Sequence, residues 1–141
     1  MTRFVVDASV ATKWFLPESH AAEALRLLEA EHELIVPEFL FAEVGNALWK
    51  RCLKGEATPA DMRATLAALD ALPLRVESSR RLVMAGGDLA VRLRWPIYDC
   101  LYLALADRED CALVTADRKF LDVMANKSSY GRLLWVADVK A

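Results

Sequence analysis

At 141 residues and 55% hydrophobic content, the chain can bury one core but is too short for two comfortable domains. The same apolar fraction excludes a disordered polymer, because it offsets the entropy of ordering the backbone. A formal net charge of −2 lacks the basic surplus of a nucleic-acid binder, although carboxylates that hold cations are neutralised in a working site.

Phe4-Val5-Val6 is a β-favouring run without polar alternation, which suits a strand buried on both faces and ending on Asp7. Ala8 to Phe15 turns helical until Pro17 stops it. Ser19 is placed as the N-cap of a helix carrying Ala22, Leu25, Leu28 and Ala30. Leu34-Ile35-Val36 is a second strand, closed by Pro37. A longer helix follows from Glu38 to about Lys54, with Gly55 as its stop. Thr58-Pro59 places a cap and a first-turn proline before a helix to about Leu72.

Leu74-Arg75-Val76 is a weaker strand candidate, and Ser79 to about Trp95 is helical despite Gly86-Gly87 inside it. After Pro96, Tyr98 to about Asp107 has helical spacing. Ala112-Leu113-Val114 is a strand, Arg118 to about Asn126 a helix, and Leu133-Leu134-Trp135-Val136 a last strand. Alternating strands and helices predict an α/β fold: three layers, α/β/α, around a central mostly parallel sheet of four to five strands. Residues 1–141 show no repeat, low-complexity segment or linker, so a single domain is expected.

Cys52, Cys100 and Cys111 form no CxxC pair and leave one thiol over under any bridging scheme, as expected of free cysteines in a reducing cytosol. With only His20 and His32, a structural zinc site is disfavoured. Met-Thr-Arg-Phe-Val-Val-Asp acquires charge too early for a signal peptide. No segment approaches roughly 18 uninterrupted apolar residues, so no membrane span is expected and a cytoplasmic location is.

Ligands of open α/β sheets collect outside the carboxyl ends of the strands, and two acids stand there. Asp7 follows Phe4-Val5-Val6, and Asp117 follows Leu113-Val114-Thr115-Ala116. Two more interrupt apolar segments: Glu43 in Phe39-Leu40-Phe41-Ala42-Glu43-Val44, and Asp99 at the head of a helix that is hydrophobic nearly all round. A buried, unpaired carboxylate is expensive. Each acid also has a structural reading: Asp7 or Asp99 as a helix cap, Asp117 as a turn residue, Glu43 in a buried ion pair. Together the four point to an oxygen-ligand site for a hard cation.

Competing chemistries lack their residues. There is no GxxxxGK[ST] and no GxGxxG, and Ser9 has no GxSxG context. His20 and His32 lie in a polar stretch and are expected to face solvent. Trp14, Phe15, Phe39, Phe41 and Trp49 fall at helical spacing, which suits a core or a partner interface better than a stacking surface for bases.

Val5-Val6-Asp7-Ala8-Ser9, Glu43-Val44-Gly45-Asn46-Ala47, Tyr98-Asp99-Cys100-Leu101-Tyr102-Leu103-Ala104 and Leu113-Val114-Thr115-Ala116-Asp117-Arg118-Lys119-Phe120 resemble, in order and spacing, the PIN-domain ribonucleases. Within that class the chain resembles the VapC-type toxins of bacterial and archaeal toxin–antitoxin pairs. The resemblance runs over the whole length and implies a single PIN-like domain. It places the family's four acids on Asp7, Glu43, Asp99 and Asp117, and its small hydroxyl residues on Ser9 and Thr115. Cys100 departs mildly from the small residue common there.

The resemblance implies endonucleolytic RNA cleavage by metal-activated water. Magnesium or manganese would be bound by Asp7 and Asp99, with Glu43 and Asp117 completing the shell directly or through water. It further implies a cognate VapB-like antitoxin and a homodimer. Lys13, Arg118 and Lys119 adjoin the motifs and are plausible phosphate contacts, with solvated surface charge as the alternative. Two rivals remain open. One is a non-catalytic PIN-like binding or scaffold module. The other is a haloacid-dehalogenase-type phosphatase, which would want an acid where Ser9 stands.

Overall fold

The computed structural model describes residues 2–128 and 132–140. Five strands form one parallel sheet: β1 (Thr2–Val6), β2 (His32–Pro37), β3 (Arg75–Glu77), β4 (Ala112–Thr115) and β5 (Leu133–Trp135), in the spatial order β3-β2-β1-β4-β5. The connections carry α1 (Ala8–Lys13), α2 (Ala21–Glu29), α3 (Leu40–Leu53), α4 (Pro59–Asp70), α5 (Val83–Leu93), α6 (Ile97–Glu109) and α7 (Arg118–Ser128). A 3-10 turn at Arg80–Leu82 precedes α5, and another at Val136–Asp138 follows β5.

Consecutive strand residues point to opposite faces. Val5 and Val6, Ile35 and Val36, and Leu113 and Val114 are all fully buried, so helices cover both faces of the sheet. The three-layer expectation holds, and the sheet is entirely parallel. α6 is buried from Cys100 through Ala106, against β1, β2, β4 and α5.

The Gly86-Gly87 pair that weakens the helical pattern has a packing cause at Gly86. A Cβ there would meet Leu101 Cδ2 at 2.7 Å, so a larger residue would have to push the Leu101 side chain aside where α5 packs on α6.

Local signals hold at several ends. Thr58 and Asp61 form a reciprocal capping box at the start of α4, with Asp61 N donating to Thr58 Oγ1 at 3.0 Å and Thr58 N to Asp61 Oδ2 at 2.9 Å. Gly55, at φ +74°, ends α3 by taking a conformation that side chains disfavour.

Other ends move. The N-cap position of α2 is His20, at φ 66° and without a side-chain cap, and not Ser19. α3 starts at Leu40, after a turn, so Glu43 stands in its first turn. His32 does not face solvent: both ring nitrogens are buried without a partner, and the ring packs edge-on against Phe4 at 5.0 Å. Pairing of β1 with β2 brings that contact about. Val136 opens a 3-10 turn and does not extend β5. All three cysteines are free, Cys100 fully buried.

The strand order creates the site. From β1 the chain builds outward to β2 and β3, then crosses back to lay β4 on the other side of β1 and β5 beyond it. The direction of winding thus reverses between β1 and β4, and their carboxyl ends open a crevice at that switch point.

Candidate metal centre

Asp7 and Thr115 sit at the mouth of that crevice. Val6 pairs with Val114, and the ladder continues through Asp7 N donating to Val114 O at 3.2 Å. Ser9 ties the two strand ends together. Its hydroxyl donates to Asp7 Oδ1 in a short hydrogen bond, and it accepts from Ala116 N at 2.9 Å. Thr115 Oγ1 lies 3.4 Å from Ser9 Oγ and accepts from Asp117 N at 3.1 Å. The two hydroxyl residues therefore act as one clip across β1 and β4.

All four acids stand at the starts of helices. Asp7 is the N-cap of α1, accepting from Ser9 N at 3.0 Å. Glu43 lies in the first turn of α3 and Asp99 in the first turn of α6. Asp117 precedes α7 and accepts from Phe120 N at 3.1 Å. Helix N-termini carry partial positive charge, which offsets some of the cost of gathering carboxylates. The capping and site readings of Asp7 and Asp117 are therefore compatible. The capping reading of Asp99 fails, since Pro96 takes that position. Glu43 is held by a phenol where an ion pair was the structural alternative.

The electrostatics link the acids into one group. Burial pushes the Asp7 carboxyl up to about 7; hydroxyl contacts from Ser9 and Thr115 oppose this, and the charge of Asp99 adds to it. Glu43 is raised by burial and again by Asp99, against the hydrogen bond from Tyr102. Asp99 is raised by burial and by Asp117, against the hydrogen bond from Trp95. Asp99 is the hub, because its charge bears on two neighbours and a third bears on it.

Two positioning residues escaped the sequence reading. Tyr102, 1% exposed, donates its hydroxyl to Glu43 Oε1 at 2.6 Å. Burial and then Glu43 hold the phenol well above its ordinary pKa, so it stays a donor. Trp95 Nε1 donates to Asp99 Oδ2 at 2.7 Å, and its ring stacks on Phe120 at 6.0 Å. Trp95 stands four residues before its partner in sequence, whereas the partner of Tyr102 lies 59 residues away on α3, so only the packing of α6 on α3 reveals it. Each holds one oxygen of its carboxylate. Cys100, next to Asp99, is raised to about 11 by burial first and Asp99 second, so its thiol is protonated at neutral pH.

The donor chemistry suits a hard divalent cation: oxygen ligands, excess negative charge, and carboxyls raised by burial first and mutual repulsion second, both of which a cation would offset. Among the described residues, no group of three or more His, Cys, Asp or Glu side chains is arranged so that it could hold an ion. Magnesium usually keeps several waters and needs only one or two protein carboxylates, a smaller demand than a cluster of three.

The basic candidates are placed differently. Lys13 is mostly buried and ion-paired with Glu18 at 3.6 Å. The Arg118 guanidinium lies 4.0 Å over the Trp135 ring, and Lys119 is exposed beside Asp117. Of the aromatics, Trp14 is buried with Nε1 donating to Ala24 O at 2.9 Å, Phe15, Phe39 and Phe41 pack against the core, and Trp49 is half exposed.

The PIN domain sequence profile matches residues 4–126, which contain all four acids. Over 123 residues the chain is 36% identical to Ribonuclease VapC1 of Mycobacterium tuberculosis, covering 84% of this chain and 89% of that protein. Over 122 residues it is 29% identical to Ribonuclease VapC3 of Pyrobaculum aerophilum, covering 85% and 93%. The fold is similar to that of the solved M. tuberculosis VapC20, described as a sarcin–ricin loop cleaving toxin. That match has TM-score 0.67 and 17% identity and covers 84% of this chain and 93% of that one. With the profile spanning most of the chain and the strand-end acids where the fold gathers ligands, the chain belongs to the PIN domain family and groups within it with the VapC ribonucleases.

Proposed function

We propose that this protein is the toxin of a toxin–antitoxin pair and cleaves RNA phosphodiester bonds with a divalent metal ion, magnesium or manganese. The observation that carries the reading is the coupled set of raised carboxyls, Asp7, Glu43 and Asp99, at the switch point of a VapC-like sheet. Asp7 and Asp99 would hold the ion, and Glu43 and Asp117 would complete the shell directly or through water. The bound ion supplies acidification of a water and neutralisation of charge on the phosphoryl oxygens.

The protein's own part is positioning. Ser9 fixes one oxygen of Asp7 and ties β1 to β4, Thr115 supports that clip, Tyr102 orients Glu43, and Trp95 orients Asp99. Glu43, raised in pKa by burial and with one oxygen held by Tyr102, can accept a proton from the attacking water. Arg118 and Lys119, directly after Asp117, would meet phosphate oxygens, Arg118 by leaving the Trp135 ring. Lys13 reaches them only by leaving Glu18.

The partner is a VapB-type antitoxin. Similar folds have been solved in a toxin–antitoxin complex from Klebsiella pneumoniae (TM-score 0.67) and in VapBC2 of Rickettsia felis (TM-score 0.66). An apolar depression of about 560 Å³ beside Phe39, Phe41 and Val76 suits an amphipathic segment of such a partner. The protein pairs as a homodimer through α5, which leaves Met84 and Val91 more than 80% exposed. No helix among the described residues is long and apolar enough to cross a membrane.

Purified protein is to be incubated with total RNA in magnesium, in manganese and in EDTA, beside Asp7→Asn. Discrete fragments that need metal and disappear in the variant are expected. Intact RNA under both metals, from folded and antitoxin-free protein, would favour a binding module instead.

A further inference from the structure

A cleft of about 840 Å³ runs between α1 and α3. Ser9 and Glu43 line one end, and Asn46, Lys50 and Lys54 continue along it. On α3 the positions Glu43, Asn46, Lys50 and Lys54 follow at steps of three or four and therefore share one face. At about 1.5 Å rise per residue, Lys50 lies roughly 10 Å and Lys54 roughly 16 Å along the axis from Glu43. The acidic centre thus opens onto a track whose far end carries Lys50, Arg51 and Lys54 together with Glu18 and Glu56.

The two lysines differ from the other cations around the cleft. Arg51 is ion-paired with Glu18 at 3.0 Å and Glu56 at 3.5 Å, and Lys13 is paired with Glu18. Lys50 and Lys54 are exposed, and among the described residues neither forms an ion pair. They stand four residues apart, about 6 Å along the axis, a spacing that suits successive phosphates of an extended strand. Pockets of roughly 300–1,000 Å³ take ligands of drug size, so the cleft admits one or two nucleotides and not a duplex.

Resting on the ribonuclease reading, we infer that Lys50 and Lys54 bind the phosphates flanking the scissile bond and guide a single-stranded segment of RNA along α3 to Glu43. They act as positioning residues and leave the chemical step to the carboxylates. Their placement near the C-terminus of α3 also complements its dipole. A purely helix-stabilising role would change melting temperature without changing substrate affinity.

The test uses the full chain and the variant Lys50→Gln/Lys54→Gln, with Lys50→Arg/Lys54→Arg as rescue and Arg63→Gln/Lys140→Gln, both exposed and away from the cleft and from α5, as a charge-matched control. Anisotropy of a short fluorescein-labelled single-stranded RNA is titrated in EDTA at several salt concentrations, and cleavage of unlabelled RNA is followed in magnesium. Each single-strand phosphate contact contributes about 0.7 to the slope of log affinity against log salt, so the Gln pair should be shallower by about 1.4. KM should rise at fixed salt with kcat unchanged, the mark of lost uniform binding. The Arg pair restores both, and the control changes neither.

Wild-type slope and KM in the Gln pair, with cleavage intact, would overturn the inference and leave the ribonuclease reading standing. Unchanged RNA binding together with weakened antitoxin binding would likewise overturn it and make the cleft a protein-docking groove. No cleavage by the wild-type protein would sink the ribonuclease reading and the inference with it.

Discussion

Tyr102 of α6 donates its hydroxyl to Glu43 Oε1 of α3 at 2.6 Å, from a position buried to 1% exposure. The bond lowers the Glu43 pKa against the burial that raises it. Tyr102→Phe keeps the ring and its packing on Phe39, so the chain should still fold. Loss of a buried hydrogen bond to a charged group costs about 1.5–3 kcal/mol. Glu43 should then protonate at higher pH, moving the acid limb of the kcat profile upward. An unshifted limb would show that Glu43 does not take part in the titrating step.

Asp7 sets the pH dependence of the metal-free protein. Its folded pKa of about 7 lies above the ordinary 3.8. Between those values the folded chain keeps a proton that the unfolded chain has released, so stability falls as pH rises through about 4 to 7. The upward shifts of Glu43 and Asp99 act in the same direction. Chemical denaturation in EDTA should show this decline, reduced in Asp7→Asn by a few kcal/mol at neutral pH. Magnesium should restore stability near pH 7 in the wild type alone. An equal decline in both proteins would remove Asp7 as its cause.

Asp99→Asn should separate stability from activity. Asparagine can still accept from Trp95 Nε1 while removing the charge that raises Asp7 and Glu43. In EDTA at pH 7 the variant should melt higher than wild type, by about 1 kcal/mol or more of stability. In magnesium it should lose cleavage by at least about a hundredfold. A variant that melts lower in EDTA would mean the acids do not repel one another as their geometry indicates.

Ser9→Ala removes the clip between β1 and β4. Ala116 N–H loses its partner and Asp7 loses its hydroxyl donor. An unsatisfied buried donor costs about 1–3 kcal/mol, and Asp7 should titrate still higher. Ser9→Thr, which keeps the hydroxyl, should recover most of the stability. Denaturation midpoints that match wild type in the alanine variant would contradict the clip.

At the end of the sheet away from the crevice, Glu109 meets Arg75, Arg3 and Arg108. Burial raises its pKa, but the three guanidinium groups outweigh this and hold it below the usual carboxylate value. Its contribution is therefore present above the unfolded pKa and lost as pH falls through the folded one. Glu109→Gln should lower the melting temperature at pH 7 and converge with wild type in acid, with cleavage intact. A loss of cleavage at unchanged stability would tie this network to the site.

The sequence by itself determined the layering and the list of acids. Val5-Val6, Ile35-Val36 and Leu113-Val114 place apolar side chains on both faces of their strands, which only a sheet covered on both sides can bury. Asp7 and Asp117 declared themselves by following such runs, and Asp99 by heading a helix buried all round. Thr58, Pro59 and Gly55 act within a few residues of backbone, so their roles were legible too.

Partnership was not. That Ser9 meets Ala116, Tyr102 meets Glu43 and Lys13 turns to Glu18 depends on β4 lying beside β1 and on which helix faces which. His32 reads as polar surface until pairing with β1 brings its ring against Phe4. Periodicity and capping are local, whereas the order of strands is decided by how whole amphipathic elements bury their faces together. The acids could be picked out along the chain, but that β4, and with it Thr115 and Asp117, lies beside β1 and Asp7 was decided by the crossover from β3 back to β4.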